Sequence, residues 1–120
     1  MEDNRAEKIE ALETLVEFND KVVKNIRILV KELSGQRLDD TDKFQDSIIN
    51  AINWEIQVLN ATMDVINEGK ERIVKDAFNE KVIALGEAVK LKNDQKIAAA
   101  FTNLEPELER LGEAAREVVA

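Results

Sequence analysis

In the stretch 41-TDKFQDSIINAINWEIQVLNATMDVIN-67, Phe44, Ile48, Ile52, Ile56, Leu59, Met63 and Ile66 fall on one face of a helix wound at about 100° per residue. A second apolar row, Ala51, Trp54, Val58, Ala61 and Val65, adjoins the first at spacings of three and four. Together they widen the apolar arc to roughly 240°, where the core stripe of a surface helix takes about 100° or somewhat more. The helix therefore carries more apolar surface than one core stripe needs. The remaining arc, Asp42, Asp46, Asn50, Asn53, Gln57, Asn60, Asp64 and Asn67, consists of short polar side chains and is expected to face water.

Upstream, Ile9, Leu12, Val16, Asn19, Val23, Ile26, Val30 and Leu33 recur at spacings of three and four, and only Asn19 among them is polar. Leu15, Val22 and Leu29 flank this seam. Ser34-Gly35 signals the stop, since glycine readily adopts the left-handed conformation that ends helices. The first helix is thus expected over about 4–33. Asp39, Asp40 and Thr41 are candidate N-caps for the second, over about 41–67.

Downstream, Val74, Phe78, Val82, Leu85 and Val89, with Ala77, Ala84 and Ala88 alongside, predict a third helix over about 71–92. Gly69 separates it from the second. Because no capping residue follows Gly69, an alternative makes helices 2 and 3 continuous in an elongated dimer. Asn93-Asp94 offers a left-handed stop followed by an N-cap. Ile97, Phe101, Leu104, Leu108, Leu111, Ala115 and Val118 then carry a fourth helix over about 95–119. Pro106 lies inside that helix on its solvent side and predicts a kink near Glu105, with two pieces capped by Asn103 as the rival. Four segments with short connections predict an all-α, antiparallel up-down-up-down four-helix bundle.

At 120 residues one domain is expected, large enough for a core without disulfides; there is no cysteine. The 25 acidic against 17 basic residues leave a net charge of −8, which disfavours nucleic acid and anionic lipid. No apolar run approaches the roughly 20 residues of a membrane span. Met1-Glu2-Asp3-Asn4-Arg5 has no secretory apolar region, so a cytoplasmic protein is expected.

Three polar residues, Asn19, Glu55 and Lys81, lie within apolar arcs near the midpoints of their helices. If midpoints align, they form one polar core layer, with Thr62 a turn away and Glu105 on its flank. Its first reading is a Glu55–Lys81 pair that fixes helix register. The second leaves both charges wet at the rim, and the third makes the layer a ligand anchor. The chain has no histidine, which removes carboxylate–histidine di-metal centres, zinc sites of the usual kind and histidine-based catalysis. Gly35, Gly69, Gly86 and Gly112 are dispersed and form no phosphate loop. No metal, no cofactor and no enzymatic activity are expected.

The surplus row Ala51, Trp54, Val58, Ala61 and Val65 is the functional lead. Either it packs against a neighbouring helix, or it forms a surface for self-association or for a helical partner. The function expected on this reading is a non-enzymatic protein-interaction module, adaptor or chaperone-like, acting as a homodimer or with a protein partner. The alternative is a small-molecule-binding bundle that uses the polar layer within an apolar pocket.

Overall fold

The computed structural model describes residues 4–120; the charged start at 1–3 lies outside the described residues. Four helices follow in order: α1 (Arg5–Leu33), α2 (Thr41–Ile66), α3 (Lys75–Leu91) and α4 (Asp94–Val119). Among the described residues there is no strand. The bundle measures 51 × 24 × 22 Å.

Ion pairs fix the directions. Lys8 meets Asp64 at 2.8 Å and Arg5 meets Glu68, so α2 runs antiparallel to α1. Arg116 meets Asp20 at 2.7 Å and Arg37 meets Asp94 at 2.9 Å, so α4 also runs antiparallel to α1. α3 returns along α4 after a tight turn, completing the up-down-up-down bundle. The largest interface joins α1 to α4; α2 packs mainly on α1, α3 packs on α4, and α2 touches α4 only lightly. The helix pair α2 and α3, neighbours in sequence, does not meet backbone to backbone. The centre of the bundle is therefore the α1–α4 pair rather than α2. Leu12, Leu15, Ile26, Leu29, Ile52, Leu59, Ile66, Phe78, Phe101, Leu104 and Leu108 fill the core without exposure to solvent.

α1 ends where expected. The Ser34 hydroxyl donates to the Val30 carbonyl at 2.6 Å, and Gly35 takes φ of 113°. At the start of α2, Asp40 occupies the N-cap position without a side-chain cap bond. The fully buried Thr41 does more: its hydroxyl accepts from Leu38 N at 2.8 Å and donates to Glu32 Oε1 at 2.7 Å, tying the loop to α1.

Helices α2 and α3 are separate, which rules out the continuous alternative for the chain itself, and α3 starts at Lys75 rather than near Glu71. Asn67 is the reason. Its Oδ1 accepts from the backbone of Arg72 at 2.8 Å and Ile73 at 3.0 Å, and its Nδ2 donates to the Ile73 carbonyl at 3.1 Å. The Arg72 guanidinium donates to the carbonyls of Ile66 and Glu68, supplying the positive charge that a helix C-terminus favours. Gly69, at φ 82°, permits the bend. At the next turn the left-handed residue is Lys92, at φ 54°, and Asn93 instead caps α4, accepting from Lys96 N at 3.0 Å. α4 is one helix through Pro106. Pro106 is exposed, and so is Thr102, whose carbonyl loses its usual donor to the proline ring and can turn to water.

Candidate functional site

The surplus row on α2 divides when α1 docks on it. Val58 and Val65, seven residues apart, are buried; Ala51 is half-buried and Ala61 exposed. Trp54 stays half-buried, with its ring set edge-on to Phe18 of α1 at a centroid distance of 5.1 Å and an interplanar angle of 78°. Such an edge-to-face pair holds the indole in a defined orientation.

Next to Trp54 the α1–α2 seam opens into a groove of about 470 Å³, lined by Ala11, Trp54, Val58, Ala61 and Thr62 and rimmed by Asn4, Glu7, Lys8 and Gln57. Its origin is local. Ala11 and Ala61 carry single methyl groups where larger residues would fill the seam, so the flank of the indole and the Val58 methyls line an open hollow. Lys8 closes one end through Asp64, and the ammonium beside it holds the Asp64 carboxyl below its usual range. The sequence singles out Trp54, Val58 and Ala61; Ala11 and Phe18 emerge only once α1 is placed.

The polar residues of the core do not converge as a triad. Asn19 and Glu55 are buried, at 3% and 0% exposure. They enter on nearly the same level, because Phe18 faces Trp54 across the α1–α2 seam. Asn19 Nδ2 donates to the Leu108 carbonyl at 3.1 Å, while its Oδ1 has no partner. Neither carboxyl oxygen of Glu55 has a partner, so the expected pair with Lys81 does not form. Lys81 is only half-buried. The eight-residue connection between α2 and α3 shifts α3 toward the α3–α4 turn. Counting back from that turn sets Lys81 opposite about residue 104 of α4, whereas Asn19 meets Leu108 and Gly112. At 1.5 Å per residue the levels differ by roughly 6–12 Å. Thr62 donates to the Val58 carbonyl at 2.7 Å, and Glu105 pairs with Arg27 on the outside.

Burial without a partner disfavours the charged form of Glu55 and pushes its carboxyl up to about 8, so it is mostly protonated at neutral pH. Asn19 also borders a polar groove between α1 and α4 with Asp20, Lys24, Arg27, Glu109, Glu113 and Arg116. Its three cations and three carboxylates balance, and several already pair: Arg116 with Asp20, Arg27 with Glu105 and Glu109. That leaves the Trp54 groove as the more apolar site, with a half-buried indole in its lining. Among the described residues no helix is long and apolar enough to cross a membrane, and no group of three or more carboxylates is arranged to hold a metal ion.

No curated protein and no solved structure matches the chain. A family model described as a domain of unknown function, DUF8042, matches residues 10–114, most of α1 through most of α4, and the chain belongs to that family.

Proposed function

We propose that the protein is a non-enzymatic interaction module of the cytoplasm, adaptor or chaperone-like, that binds an amphipathic helix of a partner protein in the α1–α2 groove. The observation that carries this reading is the groove itself: an open apolar hollow between two parallel ridges, with Trp54 fixed at its edge by Phe18. A helix laid along such a seam adds a third member to a two-helix layer, the helix-in-groove mode, and a partly buried indole is a strong anchor for it.

Ala61→Arg tests the reading without touching the core, because Ala61 is exposed and lines the groove. Trp54 is the only tryptophan in the chain and reports occupancy by its emission. A synthetic amphipathic helix of leucine and glutamine should bind saturably to the native chain and at least tenfold more weakly to the variant, with helicity and thermal midpoint unchanged. Equal binding to both would refute the groove. Light scattering on the free chain supplies the other arm: a stable dimer that Ala61→Arg dissociates would assign the groove to self-association.

A further inference from the structure

We infer that the helix this groove accepts is basic along one flank, with Lys or Arg side chains lying against α1 and an uncharged polar flank against α2. The inference rests on the helix-binding reading and adds the charge pattern of the partner. The two edges of the groove differ in kind. On the α1 edge, Glu7 lines the rim, and Glu10 and Glu17, which stand outside the lining, follow on its outer side within roughly 80° of it on the wheel. All three are exposed, and among the described residues none has an ion-pair partner. Of the cations on this side of α1, Arg5 pairs with Glu68 and Lys8 with Asp64, and the exposed Lys21 stands one turn beyond Glu17, outside the lining of the hollow.

On the α2 edge the exposed groups beside the hollow are amides, Asn53, Gln57 and Asn60, and the one nearby carboxylate, Asp64, is already neutralised by Lys8. Glu7 and Glu10, three residues apart on one helix, repel one another, and a cationic flank would relieve that repulsion. Exposed pairs of this kind contribute modestly to affinity and more to encounter rate and orientation. A partner with lysines on one side only can place them against α1 in a single polarity, so the acidic edge also fixes which way the helix runs. The net charge of −8 acts in the same direction at long range.

The test compares two amphipathic helices of equal length, one of leucine and lysine with the lysines on one flank, the other of leucine and glutamine, by Trp54 emission and calorimetry. At low salt the lysine helix should bind at least tenfold more tightly. The advantage should shrink toward onefold as salt rises, since the pairs are exposed. Glu7→Gln with Glu10→Gln and Glu17→Gln should remove most of the advantage while leaving the glutamine helix unaffected, and Ala61→Arg should weaken both. A lysine helix that binds no better than the glutamine helix, or an advantage that survives the triple variant, overturns the inference and leaves the groove standing. Lysine-helix binding that Ala61→Arg does not weaken would show attraction by net charge alone, which also overturns it. Failure of both helices to bind would instead refute the underlying helix-binding reading.

Discussion

A methyl group on Gly112 would stand 2.4 Å from Asn19 Nδ2, so the buried amide of α1 occupies the space that a side chain on α4 would need. The amide is held there by its bond to the Leu108 carbonyl one turn earlier on α4. Gly112 is helical and itself buried, and an alanine in that position would ordinarily favour the helix. Here Gly112→Ala must displace Asn19 and break a buried hydrogen bond. A net loss of about 1–3 kcal/mol is expected by urea denaturation. In an Asn19→Ala background the same substitution should cost far less. Additive losses would exclude the steric link between the two residues.

Glu55 makes stability fall as pH rises over a window where most carboxylates are silent. Its folded-state value of about 8 stands above the ordinary 4.5. Below about pH 4.5 both folded and unfolded chains hold the proton and no penalty applies. Between there and about pH 8 the folded chain keeps a proton that the unfolded chain releases, so stability drops by roughly 1.4 kcal/mol per pH unit, on the order of 5 kcal/mol in all. Asp64, Asp94 and Glu117 shift the other way, lowered chiefly by hydrogen bonds from Lys8, Arg37 and Lys70, and their contribution is lost only as pH falls through the acid range. Denaturation curves between pH 5 and 8 should show the slope, and Glu55→Leu should flatten it while raising stability at pH 8.

Lys81→Met separates the structure from the paired layer that the sequence suggests. With Lys81 engaged to Glu55, its removal would strand a buried charge at a cost of about 3–5 kcal/mol. Glu55 has no such partner. Replacement of the half-buried Lys81 should therefore change stability by no more than about 0.5 kcal/mol. A loss of several kcal/mol would require a Glu55–Lys81 contact.

The difference between these two expectations shows where sequence reading stops. Each helix and the phase of its core face follow from spacings of three and four that are visible in the chain, as in Phe101, Leu104, Leu108 and Leu111. The terminus of α1 at Ser34-Gly35 is likewise a local signal. Axial register is not local. The layer at Asn19, Glu55 and Lys81 presumes that midpoints align, and α3 is displaced because Asn67 and Arg72 order eight residues outside any helix. The site divides in the same way. The surplus row through Trp54 is plain on the wheel, but its separation into buried Val58 and exposed Ala61 depends on the side from which α1 approaches. The groove further requires Ala11 to face Ala61 across two helices. The role of Gly112 is invisible without Asn19 opposite it.

Lys92 carries a conformational cost that one substitution should remove. Its φ of 54° lies in the left-handed region, where a Cβ crowds the following carbonyl, at roughly 1–2 kcal/mol for an L-residue. The side chain is exposed, so it contributes little packing. Lys92→Gly should stabilise the chain by up to about 1 kcal/mol, the gain being reduced by the greater freedom of glycine in the unfolded state. An unchanged or lower thermal midpoint would mean that the lysine is held there by an interaction stronger than its strain.

Asn67 should be the most sensitive polar position outside the helices, because a single amide satisfies three backbone groups of the α2–α3 connection. Two are donors, Arg72 N and Ile73 N, and one is the Ile73 carbonyl, next to a side chain that is 1% exposed. Asn67→Ala leaves all three without that partner in a partly buried loop, with an expected loss of about 2–3 kcal/mol. The loss should appear as faster hydrogen exchange at Arg72 and Ile73 before α4 or α1 is affected. Asn67→Asp separates the two halves of the network. It keeps the acceptor for both N–H groups and adds a charge near the Arg72 guanidinium, but it cannot donate to the Ile73 carbonyl and sets a negative group at the C-terminus of α2, where the helix dipole opposes it. An intermediate loss is expected for Asp. A loss for Asp as large as that for Ala would make the Ile73 carbonyl the critical contact, and the start of α3 would then depend on that one acceptor rather than on the two amides.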